Sequence, residues 1–66
     1  MCLEEAQSLL SKVFTYQWKS LIDDGYVSKN NEMAKKTLIG WFKQWYEKKG
    51  RYPRYHEVIL FISGMM

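Results

Sequence analysis

Leu38-Ile39-Gly40-Trp41-Phe42-Lys43-Gln44-Trp45-Tyr46-Glu47-Lys48-Lys49 is the stretch on which the fold turns. Leu38, Trp41, Phe42, Trp45 and Tyr46 recur at three-and-four spacing, which predicts one face of a helix. Each of its aromatic side chains carries on the order of 150–250 Å² of surface. No other segment offers as much, so the core is expected to centre here and to bury this face.

Upstream, Leu3, Ala6, Leu10, Val13, Phe14 and Leu21 share one side of a helical wheel, with Leu9 and Trp18 on its flanks and Glu4, Ser8, Lys12 and Lys19 opposite. That predicts a long amphipathic helix over about 3–23, with Glu4 and Glu5 at the favourable positive end of its dipole. Gln17 projects from the apolar stripe. It fits a bond to a backbone carbonyl, a solvated seam or a register-fixing polar group in a helix pair. Asp23-Asp24-Gly25 closes the helix, Gly25 supplying the left-handed residue past the last turn. The two aspartates oppose the dipole there, which suits a solvated turn, a salt bridge to the basic half or a ligand site. The spacing does not fit a calcium-binding loop.

Ser28 or Asn30 is the expected cap of a second helix running over about 30–49, with Tyr26 or Val27 stapled onto its first turns. Glu32 with Lys36, and Lys43 with Glu47, are spaced to compensate each other along it. Gly40 falls on its polar side, where it costs about 1 kcal/mol relative to Ala; a close backbone approach by another helix or a ligand would explain it, and so would simple tolerance. Gly50 is the expected stop, followed by Pro53 in the first turn of a third helix over about 53–63. Tyr55, Val58, Ile59 and Ile62 share a face of that helix, while Leu60 and Phe61 make it apolar nearly all round. Ser63 to Met66 reads as a frayed end. The expected architecture is all-α: a small three-helix unit with two long antiparallel helices and a short C-terminal helix.

Length and composition bound the function. Sixty-six residues form one domain with a marginal core, and 47% hydrophobic with 17% aromatic content argues against disorder. One cysteine, Cys2, allows no internal disulfide and suits a reducing compartment. The longest apolar run, Val58 to Ile62, is far short of a bilayer span, and no secretory address is legible, so a cytoplasmic protein without membrane partners is expected. The formal charge of +3 is uneven: residues 1–24 are net acidic and residues 25–66 net basic, as a phosphate backbone or an acidic protein surface would favour.

Phe42, Tyr46, Gly50, Pro53, Glu57 and Val58 form the pattern F-x-x-x-Y-x-x-x-G-x-x-P-x-x-x-E-V within residues 42–64. It resembles the opening helices of LexA-type winged helix-turn-helix repressors. The resemblance implies a helix, a glycine turn and a second helix begun at a proline, with a DNA-reading helix next; the sequence ends at Met66, directly after the glycine that would introduce that helix. Arg54 departs from the capping Ser or Thr that the family favours.

No catalytic set is expected. His56 and Glu57 are neighbours whose side chains diverge by about 100° on a helix, and His56 reads as an ordinary helix residue. Zinc would need more Cys and His than the chain has. No phosphate-cradling loop is present, and no cofactor is implied. Binding is what remains. Lys48, Lys49, Arg51, Tyr52, Arg54 and Tyr55 crowd one turn with cations to meet phosphates and aromatics to stack on bases. The expectation is a nucleic-acid-associated, DNA-binding or transcription-regulating protein. The alternative is a phage or mobile-element protein that binds and inhibits or redirects a host protein, since aromatics and arginines are also interface anchors. A homodimer through Val58, Leu60, Phe61 and Ile62 is a further option.

Overall fold

The computed structural model describes residues 3–65, with side chains from Ser8 onward; Cys2, the side chains of Leu3, Glu4, Glu5 and Ala6, and Met66 lie outside the described residues. Three helices follow in order, α1 (Leu3–Asp23), α2 (Glu32–Lys49) and α3 (Tyr55–Met65), and no strand occurs among the described residues. The fold is the small all-α three-helix unit expected. None of these helices is long and apolar enough to cross a membrane.

Local chemistry sets the boundaries. α1 stops where Gly25 takes φ 81°, and two hydrogen bonds, Gly25 N–H to the Ile22 carbonyl and Tyr26 N–H to the Leu21 carbonyl, close the paired-bond glycine cap. Asn31 starts α2 by accepting from the Ala34 N–H at 3.1 Å. The expected caps were Ser28 and Asn30; Ser28 instead accepts from the Asn30 N–H and shapes the preceding turn. Gly50 ends α2 at φ 72° with a single bond to the Tyr46 carbonyl. Pro53 lies two residues before α3 rather than in its first turn, and Arg54 takes the cap position, its carbonyl accepting from Glu57 and Val58. Ser63 to Met65 continue α3 instead of fraying.

Phe14, Trp18 and Leu21 of α1, Ala34, Leu38 and Phe42 of α2, and Val58 and Ile62 of α3 form one buried cluster. Phe14 stacks near-parallel on Trp18 and meets Phe42 edge-on, centroids 5.4 Å apart, the geometries aromatic quadrupoles favour. Val27, not Tyr26, is the connection residue packed against this core.

The face expected to be buried whole is in fact divided. Leu38 and Phe42 are fully buried, Trp41 and Trp45 are half-buried, and Tyr46 is exposed. The long α1 and the eleven-residue α3 together leave part of the face spanned by positions 38, 41, 42, 45 and 46 uncovered. The homodimer surface needs a related correction. Val58 and Ile62 are buried in the chain's own core, and Phe61 lies flat on Trp41. Of the four residues offered for self-association, Leu60 is 71% exposed and Phe61 is half-buried, so less of that surface is at the outside than expected.

Candidate nucleic-acid interface

The turn from Gly50 to Arg54 is built around one carboxylate. Glu57 sits at the third position of α3, and its Oε1 accepts from the Arg54 N–H at 2.8 Å, half of a capping box. The same carboxylate takes both guanidinium nitrogens of Arg51, at 2.9 and 3.1 Å, a two-pronged ion pair. The guanidinium also donates to the Tyr52 carbonyl. The Arg51 and Arg54 hydrogen bonds together hold the Glu57 carboxyl down at about 2 against its usual 4.5.

Three of the six residues expected to face a ligand are thus engaged within the chain. Arg51 is the partner of Glu57. Tyr52 stacks on Tyr46 with centroids 4.7 Å apart, and burial followed by the neighbouring Tyr46 raises its phenol. Tyr55 donates its hydroxyl to Asp24 Oδ2, tying α3 to the end of α1; burial and then this bond push the Tyr55 phenol up to about 12. That contact also gives Asp24 its role, one the sequence left open. Gln17 takes the carbonyl reading: its Nε2 donates to the Pro53 carbonyl at 3.0 Å, pinning the turn to α1.

Lys48, Lys49 and Arg54 remain exposed and form no ion pair among the described residues, where Arg51–Glu57 is the one salt bridge. Neither Glu32–Lys36 nor Lys43–Glu47 closes, so the lysines of α2 are not locally neutralised as their spacing suggested. The basic surface therefore lies on the flank of α2 as well as at the turn.

On that flank, Trp41, Gln44, Trp45, Lys48 and Lys49 line an open cavity of about 290 Å³. Its two indoles pack against neighbouring rings. Trp41 stacks on Phe61 at 4.3 Å and 7°, and Trp45 tilts against Trp41 at 5.1 Å. Lys49 Nζ and the Arg51 guanidinium each lie 5.4 Å from the Trp45 ring centre, within cation–π range. Because Arg51 is anchored by Glu57, the turn network also fixes Trp45. The Trp45 indole N–H is buried and meets no acceptor among the described residues. The sequence reading placed Trp41 and Trp45 in the core and passed over Gln44; the signal for a flank site was their i, i+3, i+4, i+7 alignment with Gln44 and Lys48.

Among the described residues no group of His, Cys, Asp and Glu is arranged to hold a metal ion. Each residue of the repressor-like pattern has a place in the packing unit: Phe42 and Val58 in the core, Gly50 and Glu57 as caps, Pro53 buried under Gln17, and Tyr46 against Tyr52. Comparison with protein-family models, with curated proteins and with solved structures gave no match.

Proposed function

We propose that the chain is a small, non-catalytic nucleic-acid-binding module acting in a regulatory, transcription-associated role. The observation that carries this reading is the set Lys48, Lys49 and Arg54, exposed cations without carboxylate partners among the described residues, grouped where α2 ends. Phosphates would meet them by displacing condensed counterions, giving affinity with little base choice. The helix, glycine turn and capped third helix, together with the resemblance to the LexA-type opening helices, support a regulatory setting.

Anisotropy of a labelled duplex and a labelled single strand across a salt series tests the proposal. Affinity should fall linearly on a log–log plot, and replacing both Lys48 and Lys49 by Ala should flatten the slope by about 1.4–1.8, two phosphate contacts' worth. Absence of binding to either strand form at low salt overturns it. A second reading, docking on a host protein, is favoured by the exposure of Met33 at 78% and Leu60 at 71%. A stoichiometric protein partner retained from lysate after nuclease treatment would select that reading.

A further inference from the structure

Resting on the nucleic-acid reading, we infer that the Trp41–Trp45 cavity is a base-stacking subsite, and that the preferred ligand is single-stranded nucleic acid rather than duplex. The cavity's volume of about 290 Å³ is at the small end for a ligand site, room for one flat group and not for the edge of a double helix. Two indoles and two lysines, Lys48 and Lys49, line it together, the pairing of stacking platform and cationic track that binds unpaired strands. Bases in a duplex are already stacked on each other and offer this site only phosphates.

Three further features fit a base. The indoles are held in place before any ligand arrives, Trp41 by Phe61 and Trp45 by the Glu57-anchored Arg51, so little order is lost on binding. Gln44 brings an amide that can donate to and accept from a base edge. Lys49 can leave the Trp45 ring to make room, since it is exposed and carries no ion pair.

The test uses the wild-type protein and three probes of equal length: an oligothymidylate, the same backbone with abasic sites in place of its bases, and a duplex. The base-bearing strand is expected to bind about tenfold or more tightly than the abasic strand and the duplex, and to quench tryptophan emission. Equal affinity for all three probes, or preference for duplex, overturns the stacking subsite while leaving a phosphate-led function standing. No binding to any probe removes both. Tryptophan emission that instead changes with protein concentration alone assigns the cavity to a second copy of the chain and also overturns the inference. Gln44→Leu, a change at an exposed position, should reduce the preference for the base-bearing strand without altering thermal stability.

Discussion

The two aromatic groups of this protein are made from the same residue types, and two of their members are consecutive, yet their surroundings differ. Phe14, Trp18 and Phe42 are shut inside the three helices, each no more than 5% exposed. Trp41, Trp45 and Phe61 are packed together at the outside edge, half-covered, with Lys49 and Arg51 over the Trp45 ring. The inner group holds the fold, and the outer one is a surface built and braced by it. A wide apolar face on a helix therefore divides by what its neighbours can cover, and the rest is left at the surface.

The sharpest way to break this distinction is truncation on either side of it. Phe42→Ala should cost about 3–5 kcal/mol, comparable to the whole stability of so small a domain, and should leave no cooperative thermal transition. Trp45→Ala should cost less, about 1–2 kcal/mol, and retain helical circular dichroism. If both variants unfold alike, the outer group is core after all.

Adding side-chain volume separates buried from open positions with a smaller effect. Ala34 is 6% exposed in the core, and Ala34→Leu should destabilise by about 1–3 kcal/mol through overpacking. Nothing lies within 4 Å of a Cβ built at Gly40, so Gly40→Ala should gain about 1 kcal/mol of helix propensity and raise the midpoint by about 4–8 °C. Differential scanning calorimetry reads both. The close approach that would explain a glycine at this position is absent among the described residues. Loss of nucleic-acid affinity in an otherwise stabilised Gly40→Ala protein would show that a ligand makes that approach instead.

The smallest effects are pH-dependent and concern the brace beneath the outer group. Glu57 has its pKa lowered from 4.5 to about 2. Its contribution is fully present above 4.5 and is lost as pH falls from there through 2. The midpoint difference between wild type and Glu57→Gln should accordingly shrink across that window. Tyr55 is shifted the other way, from 10 to about 12. Its contribution is complete below 10 and disappears as pH rises through 12, which phenolate absorbance alongside thermal melts will follow.

Much of the fold was legible in the sequence because its signals are local. Periodicity in α1 and α2, the left-handed positions at Gly25 and Gly50, and basic residues at the end of α2 each act within a few residues of themselves. The partition of the α2 face was not legible, because it depends on how far α1 and α3 reach across it. The candidate site shows the same split. Lys48, Lys49 and Arg54 face outward as their charge suggests, whereas Arg51 was claimed by a glutamate six residues on and Tyr55 by an aspartate thirty-one residues back. Tertiary pairing of this kind leaves no periodic mark. The i, i+3 alignment of Trp41 with Gln44 was visible, but a tryptophan on an apolar stripe reads first as core.

The most direct test of the central claim is to follow the three tryptophan indole N–H signals in a proton–nitrogen correlation spectrum while an oligothymidylate is added at low salt. The signals of Trp41 and Trp45 should move progressively and that of Trp18 should stay where it is. Binding in which no indole signal moves, or in which Trp18 shifts as far as the other two, would contradict the account.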